Sequence, residues 1–135
     1  MKNLLSIISK IHEKGNRFII EQINTNGNEG LVTSHGDILA CLYQGNKMTM
    51  KDIAERINKT KATVTVLVDK LEKNGYVKRE KSTEDSRNTY ISLTKKGEDF
   101  KPVFEKISKE LNELLYKNLS KDEAQILDIL LQKMI

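Results

Sequence analysis

Cations and short hydroxyl side chains, rather than nucleophiles or metal ligands, are the chemically capable groups of this chain. The tetrapeptide Asp85-Ser86-Arg87-Asn88 sits between two alternating stretches, Tyr76–Lys81 and Thr89–Leu93. In the first, Tyr76, Lys78 and Glu80 fall on one side and Val77, Arg79 and Lys81 on the other; in the second, Tyr90 and Ser92 oppose Ile91 and Leu93. Period-two alternation predicts the strands of a half-buried hairpin, with the tetrapeptide at its solvent tip. A guanidinium on such a tip can enter the minor groove of a duplex, where negative potential is concentrated and a weakly hydrated planar cation loses little. Arg87 is that cation, and Asp85 is placed to orient it through a charge-assisted pair. The plainer reading is a solvated turn whose charges keep it soluble.

The segment before the hairpin narrows the choice. From Lys59 to Asn74 the apolar residues Val64, Leu67, Val68 and Leu71 recur at helical spacing and make one buried stripe. Thr60 is placed as its N-cap and Gly75 as its stop. The opposite face carries Ala62, Val66, Asp69 and Lys73, flanked by Thr63, Thr65 and Lys70. Short side chains let a helix sink into the major groove, where Thr bonds base edges and Ala or Val meets thymine methyls. Lys61, Lys70 and Lys73 would then reach phosphates. An ordinary surface helix with a tolerated exposed Val66 is the competing account.

Upstream, Met50, Ile53, Ala54 and Ile57 mark a second short amphipathic helix, with Thr49 and Asp52 at capping-box spacing. Asn58 and Lys59 leave room only for a tight turn, so the pair predicts a helix-turn-helix, and the hairpin adds a wing. Charge agrees. Between Lys59 and Lys96 there are ten cations and five anions, a net of +5 where the whole chain carries +4. A basic segment in an otherwise near-neutral chain is the footprint of phosphate contact. The candidate DNA-binding residues are Thr60, Lys61, Ala62, Thr63, Thr65, Val66, Lys70, Lys73, Arg79, Lys81, Asp85, Arg87 and Asn88.

Three stretches resemble the MarR-type transcriptional regulators. Met48-Thr49-Met50-Lys51-Asp52-Ile53-Ala54 looks like the opening of that family's first helix-turn-helix helix. Ala62-Thr63-Val64-Thr65 leading to Leu67 through Val77 is similar to its recognition helix and exit. Asp85-Ser86-Arg87 continuing to Leu93-Thr94-Lys95-Lys96-Gly97 is similar to its wing signature. The similarity spans residues 31–97 and is compositional beyond them. Many relatives carry a basic residue where this chain has Val66, so the operator does not transfer by analogy. The resemblance implies a dimer, most often a repressor, released by a small molecule bound where the dimer region meets the DNA-binding lobe, or by a stress signal. Some members sense oxidants through a cysteine, and no position here matches.

The expected fold is mainly α with a small β-hairpin: a winged helix-turn-helix core, residues 31–97, between dimerisation helices at residues 1–24 and 98–135. With 135 residues the chain is one domain by length, yet its apolar and aromatic content is modest. From Leu4 to Ile23 the apolar residues cover more of a helix than one small domain needs, which suggests an interface. Thr94 is placed to cap a helix running to about Lys117, which Pro102 must kink or start anew. Ser120 and Glu123 form a capping box for the last helix, whose Ala124, Ile126, Leu127, Ile129, Leu130, Leu131 and Met134 leave few positions for water. Pairing of the chain's two ends in a two-fold homodimer, facing a near-palindromic operator, satisfies that excess.

Other chemistry has little support. There is no P-loop, no dinucleotide glycine fingerprint and no cysteine pair. His12 and His35 stand on different helices, outside any ligand cluster, and read as partly exposed helix residues. Cys41 reads as a buried inert thiol. No cofactor or metal is implied, and no residues are nominated for an effector. One unpaired cysteine, no signal peptide and no long apolar run point to a reducing cytoplasm. Asn24–Gly30, rich in Asn and Gly, reads as a flexible connector. The leading reading is a sequence-specific regulator that binds double-stranded DNA and is no enzyme. A winged-helix module for protein contacts and a metal protein or enzyme built on Cys41 and the histidines are the alternatives.

Overall fold

Side-chain caps decide where the helices begin. The computed structural model describes residues 3–27, 30–82, 84 and 88–135. Among them the order is α1 (Leu4–Thr25), α2 (Thr33–Gly45), β1 (Met48–Thr49), α3 (Met50–Ile57), α4 (Lys61–Lys73), β2 (Val77–Lys81), β3 (Thr89–Leu93), α5 (Lys95–Asp99), α6 (Lys101–Leu115) and α7 (Lys121–Gln132). Thr49 Oγ1 accepts the Asp52 N–H at 3.1 Å, Thr60 Oγ1 that of Thr63 at 3.1 Å, and Thr94 Oγ1 that of Gly97 at 3.2 Å. Ser120 and Glu123 close the full reciprocal box that their spacing predicts. Each cap satisfies a donor that the helix cannot and stabilises by about 1 kcal/mol.

Left-handed residues end the two helices of the motif. Asn58, at φ 55, ends α3 while its N–H meets the Glu55 carbonyl and the Lys59 N–H meets that of Ala54. Gly75, at φ 83, ends α4 in the same way, with Tyr76 bonded back to Leu71 at 2.9 Å. This Schellman geometry needs a residue that tolerates positive φ, which glycine does best and asparagine next. The α3–α4 connection is therefore as tight as the sequence required.

Packing follows the apolar stripe of α4. Val64, Val68 and Leu71 are fully buried against Ile38, Leu39 and Leu42 of α2, Ile53 of α3, and Val77 and Ile91 of the sheet. The sheet is wider than the expected hairpin. Its order is β1-β3-β2, all antiparallel, with Met48 opposite Ile91 and Val77 opposite Leu93. Pairing through β1 ties the start of α3 directly to the wing.

Pro102 lies in the first turn of α6, so the expected long helix is two, α5 and α6, meeting at Phe100. Proline is tolerated in a first turn because its missing N–H has no partner there anyway. Toward the ends, α1 packs on α6, and α7 contributes no buried residue.

A latch joins the exit of α4 to α5. Thr94 donates its hydroxyl to the Gly75 carbonyl and its N–H to the Tyr76 carbonyl at 3.1 Å. Lys96 donates to the Asn74 carbonyl at 2.7 Å and lies 4.5 Å over the Tyr76 ring, which meets Phe100 edge-on at 5.6 Å. A Cβ at Gly97 would sit 2.2 Å from the Tyr76 carbonyl oxygen, closer than any side chain allows. Gly97→Ala is therefore expected to destabilise the fold by about 1–3 kcal/mol through forced backbone displacement. Urea unfolding of the two proteins measures this, and an unchanged midpoint contradicts the close approach.

Candidate nucleic-acid interface

The two faces of α4 differ sharply. Opposite its buried stripe, Lys61, Ala62, Thr63, Asp69, Lys70 and Lys73 are exposed, and Val66 keeps 69% of its surface open to solvent. An apolar β-branched side chain this exposed, among methyls and hydroxyls, gives the helix a shallow face able to approach closely a grooved partner. At its start Thr60 donates its hydroxyl to Thr63 Oγ1 at 2.9 Å, so two candidate residues are linked in one cap. Thr65 is half-buried and donates its hydroxyl to the Lys61 carbonyl at 2.9 Å, leaving lone pairs but no free hydrogen for a base.

The remaining candidates are distributed around that face. Lys73 is exposed in the last turn. Lys70 lies against Gly30, whose added Cβ would stand 2.8 Å from its Nζ, so it reaches toward the segment that leads into α2. Lys81 and Asn88 are exposed at the open end of the hairpin, where the Ser82 N–H meets the Asn88 carbonyl at 2.9 Å. Asp85 and Arg87 lie outside the described residues. Arg79 is placed differently from the other cations: its guanidinium is turned toward α4 and donates to both Asp69 and Glu72.

Several contributors escaped the sequence pattern. β1 is two residues long, too short for alternation to register, and only the extended conformation demanded of an N-cap at Thr49 hinted at it. Lys47, just before β1, lies 5.0 Å over the Tyr90 ring and adds a cation beside the sheet. His35 is buried rather than partly exposed. Val32 has no side-chain acceptor with which to cap α2, and His35 Nδ1 instead takes the Val32 N–H at 2.8 Å. Polar capping was legible only for Ser and Thr.

A separate cavity of about 170 Å³ opens where α1, α2 and α6 meet, lined by Ile19, Ile23, Leu39, Phe100, Phe104 and Ile107 among others. Thr33 also lines it, and its Oγ1 is buried without a hydrogen-bond partner. Burial pushes the Cys41 thiol up from its usual range, so the thiolate is disfavoured. Among the described residues no three His, Cys, Asp or Glu side chains converge on a metal position, and no helix is long and apolar enough to cross a membrane.

Known proteins share this fold. A family model described as the MarR family matches residues 33–89. The HTH-type transcriptional regulator SarZ of Staphylococcus epidermidis is 35% identical over 97 residues, covering 71% of this chain and 64% of that protein. The chain thus spans just under two thirds of that relative's length. A crystal structure of a probable transcriptional regulator from Pseudomonas aeruginosa superposes with a TM-score of 0.89 at 20% identity, over 99% of this chain and 98% of that one. A mutant MarR from E. coli complexed with operator DNA superposes with a TM-score of 0.84 at 22% identity, over 98% and 93%. At such identities these superpositions establish the fold.

The His35 contact gives the fold's stability a pH dependence. Burial first, and the nearby Lys70 charge second, hold the imidazole below its usual 6.5, and the Val32 N–H requires Nδ1 to be unprotonated. Below that unfolded value the unfolded chain binds the extra proton and the folded chain does not, so stability falls with pH until the lower folded value is reached. His35→Gln keeps an acceptor but cannot titrate. Wild type is expected to lose more melting temperature than His35→Gln between about pH 7.5 and 5.5; parallel thermal melts check this, and equal losses contradict it.

Proposed function

We propose that this chain, which matches the MarR family over residues 33–89 and SarZ at 35% identity, is a dimeric, sequence-specific regulator of transcription that binds double-stranded operator DNA and is no enzyme. The observation that carries the reading is the outward face of α4, where exposed Val66 stands with Ala62 and Thr63 between Lys61 and Lys73. In this reading α4 enters the major groove, its hydroxyls and methyls meet base edges, and the lysines meet phosphates. Arg87, between β2 and β3 in sequence, reaches the adjacent minor groove with Asp85 as its partner. SarZ is a transcriptional regulator by name, and the E. coli MarR structure holds operator DNA; both support carrying the activity to this chain.

Exposed apolar surface at the two ends supports a two-fold dimer. Leu4, Leu5, Ile7, Ile8 and Ile11 of α1, and Ile126, Ile129, Leu130 and Leu131 of α7, remain 38–73% exposed in the single chain. A second copy covering them would place two α4 helices on one face of a near-palindromic site. The cavity beside Thr33 is the place for a small, mostly apolar effector with one polar group facing Oγ1. A ligand preferring one spacing of the lobes would shift DNA affinity by its difference in affinity for the two states and release a repressor.

Genomic fragments captured by the purified protein should share a symmetric site. Binding to that site should weaken steeply with salt, and Arg87→Ala should lower the slope of log affinity against log salt by about one. Recovery of no duplex at low salt, beside a stable complex with another protein, would favour a protein-contact module instead. On the dimer, Ile126→Asp with Leu130→Asp is expected to give a monomer by light scattering and to lose operator affinity by roughly 100-fold or more, since half of a bivalent contact is gone. A dimer that persists would contradict the end-to-end pairing.

A further inference from the structure

We infer that Arg79 is a positioning residue: held between Asp69 and Glu72, it fixes the angle between the hairpin and α4, and the two carboxylates serve that fork rather than meet DNA. The inference rests on the DNA-binding reading and assigns a role to charges that reading leaves unexplained.

Strand parity puts Arg79 on the wrong side for a phosphate contact. It stands opposite Ile91, two residues from buried Val77, and therefore on the inner face of the sheet. Apolar packing between β2 and α4 stops at Val77, and the next inward position is a guanidinium. One of its nitrogens donates to Asp69 and the other to Glu72, and its backbone N–H donates to the second oxygen of Glu72 at 3.2 Å. β2 is an edge strand, so this last bond also covers a main-chain donor that the sheet leaves open. Asp69 and Glu72 lie three residues apart, on one side of the helix.

The chemistry of the fork is specific to arginine. A planar guanidinium can face two acceptors at once in fixed directions, whereas an ammonium is a single point charge on a flexible stem. Isolated exposed ion pairs contribute little, because entropy and solvent offset them. Here the Arg79 side chain is only 28% exposed, is shared by two carboxylates and is tied through its own main chain. That geometry converts a weak pair into a brace between two elements that must meet adjacent grooves together. A tilt of the hairpin displaces its tip far more than its base.

Charge alone predicts the opposite of the brace, which makes the test sharp. Asp69→Asn with Glu72→Gln adds two units of net positive charge beside the recognition face while keeping side-chain shape, and a polyanion should then bind more tightly. The brace predicts weaker binding. With a duplex selected from a random library by the wild-type protein, the double variant is expected to bind roughly 3- to 30-fold more weakly, a loss within the span of coupling seen inside one ion-pair network. Arg79→Lys, which keeps the charge and loses the fork, should show a comparable loss with an unchanged salt slope. Equal or tighter binding by the double variant, or near-normal binding by Arg79→Lys, overturns the inference. Hydrogen exchange without DNA decides independently: amides of β2 should exchange faster in the double variant while those of α6 do not change. Unaltered exchange in β2 also overturns the brace. Failure of the wild-type protein to select any duplex would instead defeat the DNA-binding reading, with the exchange result still deciding whether the fork holds the hairpin.

Discussion

The main chain at Tyr76 is the joint on which the architecture depends. Its N–H closes the end of α4, its carbonyl accepts from Thr94, and its ring lies between the Lys96 ammonium and the edge of Phe100. All of this requires α5 to approach within a distance that only glycine permits at position 97. Tyr43 extends the joint, because its hydroxyl donates to the Gly97 carbonyl at 2.7 Å from α2, and its burial raises its pKa far above the ordinary phenol range. One short stretch of backbone thus fixes α2, α4, the hairpin and α5 against one another. A helix held this firmly at its C-terminal end and capped by Thr60 at the other has its outward face set by the fold alone.

That presentation explains an apparent fault in α4. Val66 is exposed although valine neither favours helices nor belongs in water. The three fully buried residues of the same helix supply its packing, so the cost of one solvated isopropyl group is small beside it. Local consistency is broken at one position on an otherwise well-determined element, which is where functional surfaces are expected.

Legibility in the sequence tracked the length and chemistry of each signal. The stripe of α4, the Ser120–Glu123 box and the alternation of β2 and β3 were all readable, because each repeats a pattern over several residues or pairs two specific side chains. β1 was not, since two residues carry no period. His35 escapes the pattern because its role is set by what Val32 lacks, a relation between a missing acceptor and a ring three residues on. Alternation puts Arg79 on the side of Val77, whereas net charge places it with the cations that could face a duplex. Its carboxylate partners stand 7 and 10 residues earlier on another element, a separation at which only the folded chain decides who meets whom.

The two ends of the chain connect to the basic lobe through few elements, and this limits how a signal could travel. α6 packs on α1, while Phe100 at its start is buried against Tyr76 and Phe104 meets the Tyr43 ring at 5.3 Å. A change in the angle of α6 must therefore be felt at both aromatic contacts, on either side of the Tyr76 joint. The cavity lies in that path, bounded by Phe100 and Phe104 on one side and by α1 and α2 on the others. Packed interiors move between discrete arrangements rather than deform continuously. In the proposed regulator, filling a space of this size beside two aromatic contacts would favour one packing of α6 over another by the difference in contacts, with no need to touch the outward face of α4. The unpartnered Thr33 hydroxyl is consistent with a space whose present apolar lining leaves a polar requirement unmet.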